Sequence, residues 1–403
     1  MKTWFLLLVL AVTCRAQAQQ TPYVVMVSFD GFRYDYAERY NLPNFKRMIR
    51  EGAAAEALIP SFPSKTFPNH YTLVTGQYPG HHGLVDNEFY DPAQKKLYAT
   101  KNRAMVEDPS FYGGVPLWQL ARQQGMKSAS FYWVGSEAKI LGTFPDYFRL
   151  YDEKVSNEDR VNQTVRWLQL PEPDRPHFIS LYFSLVDTEA HSTGPTSWKT
   201  QKVLHTADSL LGMLMTNVEA LKLPVNFVVV SDHGLYEMKR QESVFRYVNQ
   251  LINTKDSTVV FANAGSQVHF YTKRADSLYA VLKKQARGFN VYKQREFPER
   301  WHYQNQRSGD IMIVADPGTY FLSAPKDLSA WEGKGNFGEH GYDPALTKEV
   351  NGIFYAMGPN VRKGVTLKPV ENIHVYPFVA KILGLKTPEI DGDEKVLDVI
   401  YVR

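Results

Sequence analysis

The chain has one cysteine in 403 residues, Cys14, and it lies inside an N-terminal leader. "MKTWFLLLVLAVTCRAQA" carries Lys2, an apolar centre and a closing Ala-x-Ala, which predicts a signal peptide over residues 1–18, cut after Ala18. Thr13 stands where a lipoprotein signal prefers a small residue, which argues against a lipid anchor on Cys14. The mature chain then has no thiol, so a disulfide framework and thiolate metal sites are excluded. An exported protein of this kind must draw its stability from its core or from bound metal. Apolar runs of the ~20 residues needed to cross a bilayer as a helix are missing as well. So is any large excess of charge: Lys and Arg number 46 against 42 Asp and Glu. Removing Lys2 and Arg15 with the leader leaves 44 against 42, a net of +2, which gives no ground for a stable nucleic-acid partner or an anionic surface. Internal repeats, charge blocks and low-complexity tracts are absent too.

What is present is a series of short, continuous apolar runs: "YVVMVSF" (23–29), "FISLYFSLV" (178–186) and "VNFVVVS" (225–231). Helical patterns lie between them, in "LPNFKRMIREG", "VPLWQLARQQG" and "TADSLLGMLMTNVEALK". Strands without polar alternation, separated by helices, predict an α/β fold with a mainly parallel sheet and helices on both faces. From about 245 to 325 the pattern becomes mixed, with "STVVFANAGSQVHFYTK", "ADSLYAVLKKQARG" and "GDIMIVAD", which predicts a small inserted α+β subdomain. The 13 % aromatic content suits stacking surfaces as well as core.

Each buried run is followed by an acid. The first ends in Asp30, the second in Asp187 and the third in Asp232-His233-Gly234. In open α/β sheets the ligand crevice lies outside the carboxyl ends of the strands. Carboxylates brought together there repel unless a cation or protons sit among them. His191 follows Asp187 by four residues, one helical turn, so both can face one point. His340, in the glycine-flanked "GNFGEHGYD", has no apolar periodicity around it to make it core. Carboxylate oxygen and imidazole nitrogen without cysteine are a donor set that suits Zn²⁺. Thr66, in "FPSKTFPNH", is set between two prolines ahead of an apolar run. Two readings fit it: an N-cap of the following helix, or a nucleophile at a helix N-terminus that favours incoming negative charge.

Taken together, "VSFDGFR", "PSFPSKTFPNHYTLVTGQYPGHHG", "VDNEFYD", "RPHFISLYFSLVD", "VVVSDHG" and "GEHGYD" resemble the nucleotide pyrophosphatase/phosphodiesterase family of the alkaline phosphatase superfamily. They span most of the mature chain in the family's order. The resemblance implies an alkaline-phosphatase-like core over residues 19–403 and two zinc ions. One would be held by Asp30, Asp232 and His233 with the Thr66 hydroxyl, the other by Asp187, His191 and His340. It also implies that Thr66 is the nucleophile of a phospho-threonine intermediate, and that Asn87, with backbone N–H groups around Phe67, binds the phosphate oxygens. Phe67, Trp133, Glu137 and Tyr151 would surround a nucleotide. Val186 and Ala190 depart from the family's "PDxxGH", and Val134 stands where proline is common after Trp133.

The function expected is an exported, periplasmic or extracellular phosphodiesterase that releases nucleoside monophosphates from nucleotide diesters or pyrophosphates. A phospholipase-C-like choline phosphodiesterase would use the same ligands, with aromatic faces around the quaternary ammonium. A non-catalytic, zinc-stabilised surface binding protein would not need Thr66. Of the other histidines, His70 and His82 are candidates to support the ligands. His177, His205, His269 and His302 are expected on the surface or in packing. The sequence carries no signature of an oligomeric state.

Overall fold

The structure, a computed structural model, describes residues 21–327 and 335–403; the expected signal peptide and Cys14 lie outside the described residues. An eight-stranded sheet runs in the order Val365–Leu367, Ala53–Ala55, Phe354–Met357, Val225–Val230, Tyr23–Phe29, Phe178–Phe183, Ser128–Phe131, Tyr147–Arg149. Phe354–Met357 is antiparallel to both its neighbours, and every other pairing is parallel. The first apolar run of the sequence is therefore the middle of the sheet. Tyr23–Phe29 pairs with Phe178–Phe183 on one side and with Val225–Val230 on the other, so the three strands finish at one edge.

All seven residues of Tyr23–Phe29 are buried, which explains why no polar alternation marks them. Val24 and Met26 face a core shared with Leu73, Val74, Trp118 and Val379. Tyr23, Val25, Val27 and Phe29 face the opposite core, with Phe45, Met48, Leu211 and Met215. Helices Thr66–Thr75, Leu117–Gln123 and Val375–Ile382 thus cover one face, and Pro43–Glu51 and Trp198–Glu219 the other. Each such aliphatic side chain, fully buried, contributes about 1.5–3 kcal/mol, so this strand is held from both sides.

One expectation is corrected. The run 178–186 is not one strand: the strand stops at Phe183, and Leu185–Thr193 is a helix. Val186 and Ala190, the departures from the family pattern, are its buried residues, so packing on the sheet holds the turn in place.

A second sheet lies within the mixed stretch. Val260–Asn263, Gln267–Tyr271, Ile311–Ala315 and Phe289–Lys293 form four antiparallel strands, accompanied by helix Ala275–Gln285. Val268, Phe270, Leu282, Phe289, Val291 and Ile313 give it a core of its own.

Candidate active site

The three central strands deliver their acids as the topology requires. Asp30 follows Phe29 directly and Asp232 follows Val230 by two residues, while Asp187 stands in the first turn of helix Leu185–Thr193. The Asp187 N–H donates to the Asp30 carbonyl at 3.1 Å, which ties the helix start to the strand end. Gly31 lies between them with φ +71° and donates its N–H to Asp232 Oδ1 at 3.3 Å. A Cβ there would sit 2.9 Å from Asp187 Cα, so only glycine permits the approach.

One oxygen of each acid, Asp30 Oδ1, Asp187 Oδ1 and Asp232 Oδ2, is buried without a hydrogen bond. The other Asp30 oxygen accepts from the Tyr182 hydroxyl at 2.6 Å. Burial, reinforced by the carboxylates of Asp232 and Asp187, pushes Asp30 well above the ordinary value of 3.8. Buried carboxylate oxygens without donors are what a cation site looks like before its cation is counted.

The histidines are oriented to match. His233 Nδ1 faces the Gly234 carbonyl at 3.1 Å, His191 Nδ1 the Gly338 carbonyl at 2.7 Å, and His340 Nδ1 the Ser64 carbonyl at 2.8 Å. A carbonyl only accepts, so each Nδ1 carries a proton and each Nε2 is the nitrogen turned toward the acids. For His191, burial lowers the pKa, but the carboxylates of Asp187 and Glu339 outweigh it and raise it well above 6.5. His233 Nε2 lies 2.9 Å from Asp232 Oδ2 and 3.7 Å from Asp30 Oδ1. His191 Nε2 lies 3.2 Å from Asp187 Oδ1, and His340 Nε2 lies 4.0 Å from it. His233 and His340 stack at 3.7 Å, which joins the two clusters. Burial, with His233, Lys65 and His191 nearby, holds His340 well below 6.5 and therefore neutral, the form that binds metal. Asp30, His70 and Asp232 also bring ligand atoms within 4.8 Å of one another. His70 is nevertheless engaged at both ring nitrogens, by the Thr66 carbonyl at 2.9 Å and the Ser28 hydroxyl at 2.8 Å, so it supports the site rather than offering a lone pair. The oxygen and imidazole set fits Zn²⁺.

Thr66 is the first residue of helix Thr66–Thr75; Lys65 occupies the N-cap position, and no side chain caps the helix. The capping explanation of Thr66 therefore fails. Its Oγ1 points instead to His233 Nε2, at 3.2 Å. Asn87 stands beside it and accepts the Phe67 N–H at Oδ1, 3.0 Å away. Of the N–H groups around Phe67 expected to face a phosphate, Phe67's own is thus committed to Asn87.

Thr66 and Tyr182 open onto a cavity of about 450 Å³ lined by Phe67, Trp133, Glu137 and Tyr151, the four expected pocket residues, with Val134 beside Trp133. Trp133 is buried and donates its indole N–H to the His70 carbonyl at 2.9 Å. Glu137 is committed at both oxygens, to Arg103 at 2.7 Å and to the Tyr151 N–H, so it braces the wall. Tyr132, in the "FYW" at 131–133 expected to offer aromatic faces to a quaternary ammonium, also lines the cavity, as do Lys101 and Arg103, which were missed in the sequence. Lys101 and Arg103 read there as ordinary surface charge, and only the "YATKNR" that follows the Asn87 motif could have pointed to them. His82 lies away from the cluster, bonded to Thr72 Oγ1 at 3.1 Å. His177 stacks on Tyr23, as packing predicts, but His269 is fully buried in an ion pair with Asp86.

Residues 24–343 match the family model of type I phosphodiesterase / nucleotide pyrophosphatase. The chain belongs to this family. The phosphodiesterase relatives include the venom phosphodiesterase CdcPDE of Crotalus durissus collilineatus, 33 % identical over 95 % of this chain and 46 % of the relative. Human ectonucleotide pyrophosphatase/phosphodiesterase family member 1 is 32 % identical over 93 % of this chain and 41 % of its own length. The chain thus spans less than half the length of these curated relatives. Murine ectonucleotide pyrophosphatase/phosphodiesterase 5, solved as an inactive threonine-to-alanine variant in complex with AMP, superposes with a TM-score of 0.87 at 30 % identity, covering 94 % of this chain and all of the other. Family and fold therefore agree: this phosphodiesterase-family chain has an alkaline-phosphatase-like α/β core.

Proposed function

We propose that the protein is an exported, two-zinc phosphodiesterase that cleaves nucleotide phosphodiester or pyrophosphate bonds to nucleoside monophosphates through phospho-Thr66. One observation carries the proposal: the Thr66 hydroxyl lies 3.2 Å from His233 Nε2, beside three acids that each have a buried oxygen without a hydrogen bond. Asp30, Asp232 and His233 would hold one Zn²⁺ with Thr66, and Asp187, His191 and His340 the other. Bound there, the metal supplies positive charge that acidifies a hydroxyl and offsets phosphoryl charge. Thr66 Oγ1 forms the bond to phosphorus as the bond to the leaving alcohol or phosphate breaks. Water then attacks the phospho-threonine, the Thr66 O–P bond breaks, and the monoester departs with Thr66 restored. Asn87 Nδ2 donates to the non-bridging oxygens as charge builds on them. The aromatic faces of Phe67 and Tyr151 hold the base.

The murine neighbour is inactive as a threonine-to-alanine variant and binds AMP, which supports both the nucleophile and the substrate class. Lys101 and Arg103 are matched in the cavity by Glu137 and Glu153, so its charge does not separate a nucleotide from a choline ester; the assay below does. Residues 19–403 are taken as one catalytic domain, with the insertion at about 245–325. Export rests on the leader; among the described residues no helix is long and apolar enough to cross a membrane.

The test is zinc content measured beside turnover on three esters: p-nitrophenyl thymidine monophosphate, p-nitrophenyl phosphorylcholine and p-nitrophenyl phosphate. Two zinc per chain and preference for the nucleotide diester are expected. Full turnover after verified metal removal, or preference for the choline ester, overturns the proposal.

A further inference from the structure

The segment that carries Asn87 is gripped from the second sheet and the loop before Ile311. The Tyr303 hydroxyl donates to the Val85 carbonyl at 2.7 Å. The Tyr90 N–H donates to the Tyr271 hydroxyl at 3.0 Å, and Arg307 Nε to Asp91 Oδ2 at 2.8 Å. At the centre of this grip, Asp86 Oδ2 meets His269 Nε2 at 3.0 Å, with both side chains fully buried. The second Asp86 oxygen accepts the N–H of Asn87 itself at 2.7 Å. His269 is pinned in turn, its Nδ1 facing the Ser308 carbonyl at 3.1 Å.

From this chain of contacts we infer that the buried Asp86–His269 pair is a positioning device for Asn87, through which the second sheet sets the aim of the phosphate-binding amide. The inference rests on the proposed role of Asn87. A buried ion pair adds little net stability over an apolar pair of the same shape, so stability alone does not account for this one. What it does supply is direction. Asn87 is fixed at its backbone by Asp86 and at its Oδ1 by the Phe67 N–H, one residue from Thr66, and Nδ2 is its remaining donor. Asp86 and His269 do not touch the reacting atoms; they act through Asn87.

The test crosses Asp86→Leu with Asn87→Ala in the zinc-loaded protein, with kcat and KM measured on p-nitrophenyl thymidine monophosphate. Asn87→Ala should lower kcat by about 100-fold, as loss of an oxyanion donor does. Asp86→Leu should lower kcat by about 10- to 100-fold, the scale of a ~1 Å misplacement, with KM little changed. In the Asn87→Ala background the same change should cost less than about threefold more, because residues acting through one group are not additive. Asp86→Asn should recover most of the loss, since its oxygen still accepts the Asn87 N–H and its amide can donate to a neutral His269. If Asp86→Leu does not fold, His269→Phe, which keeps the ring and removes the donor, takes its place in the cross. Equal losses in both backgrounds overturn the inference while leaving the Asn87 assignment standing. An Asn87→Ala variant with normal kcat overturns that assignment, and the inference with it.

Discussion

Replacing Gly31 by alanine tests the packing of the three acids directly. The position has φ +71°, and a Cβ there would lie 2.6 Å from Leu235 Cδ1 and 2.9 Å from both Cα and Cβ of Asp187. Holding an L-residue in the left-handed region costs roughly 1–2 kcal/mol. Leu235 can rotate away, but Asp187 Cα is backbone, and forcing a methyl against it adds roughly 1–3 kcal/mol. The sum, roughly 2–5 kcal/mol, should lower Tm by about 2–6 °C in a chain of this size, whose unfolding entropy is roughly 0.8 kcal/mol per degree. The strain is relieved by moving Asp187 away from Asp30, which should weaken the metal site proposed on Asp187, His191 and His340. Gly125→Ala is a matched control, with φ +81° and nothing within 4 Å of its Cβ. It should show only the left-handed penalty and normal metal content. Both variants would be desalted from limiting zinc, then assayed for bound zinc, Tm and kcat across a zinc titration. Gly31→Ala should retain about one zinc where the parent retains two, and recover turnover as zinc is raised. If the two variants lose the same stability and keep the same zinc, the close approach of Asp187 to Gly31 has no part in metal binding.

Three further outcomes follow from the same geometry. Thr66→Ala should keep its zinc and, since Thr66 caps nothing, much of its Tm, while kcat falls by several orders of magnitude, as loss of a covalent nucleophile does; Thr66→Ser should keep part of the activity, and a near-normal kcat in the alanine variant refutes the nucleophile. Phe67→Ala or Tyr151→Ala should reduce kcat/KM on nucleotide diesters by about 1–3 kcal/mol, and less on a small aryl phosphonate diester; equal losses would mean that these rings support the site rather than hold a base. Burial pushes His82 from 6.5 down to about 3. Its neutral form is favoured in the folded protein, so its contribution is complete above pH 6.5 and is lost as pH falls toward 3, at up to about 1.4 kcal/mol per pH unit. His82→Asn keeps an acceptor for the Leu84 N–H and should flatten the fall of Tm over that window; an unchanged slope would exclude His82 as its source.

The parts of this molecule that could be read in its sequence are those that short-range rules decide. A strand buried on both faces must be apolar throughout, and parallel neighbours must end at one edge, so Asp30 and Asp232 could be placed together from a single chain. Asp187 was brought to the right place by partly wrong means. "FISLYFSLV" is an unbroken apolar run, and such a run looks the same whether it is all strand or strand followed by the buried side of a helix. Strands Ala53–Ala55 and Phe354–Met357 went unread because three or four residues are too few to show a period, yet they extend the sheet and give it its antiparallel member. Arg103, 34 residues from Glu137, and His269, 183 residues from Asp86, look like ordinary polar residues until the fold pairs them.

That division has a physical basis in how the site is assembled. The proposed ligands come from strand ends and one helix turn: Asp30, Asp232 and His233 from the main sheet, Asp187 and His191 from the helix after Phe183, and His340 from the end of the short strand Phe337–Glu339. The second sheet reaches both banks of the same site by side chains. Lys65, next to Thr66, donates to the Ala264 carbonyl at 2.8 Å, and Ser266 donates to the His340 carbonyl at 2.9 Å. His269 holds Asp86 on the opposite bank. Gly341, at φ +102°, leaves room for this contact: a Cβ there would meet Ser266 Oγ at 2.0 Å. A protein that only bound metal could keep the strand-end acids and dispense with these contacts, because none of them touches a ligand atom. They fix instead the residues next to the proposed nucleophile and the proposed phosphate amide, and the backbone of one imidazole. Rigidity at those three points matters to a reaction in which an oxygen must meet phosphorus in line, and little to the retention of an ion.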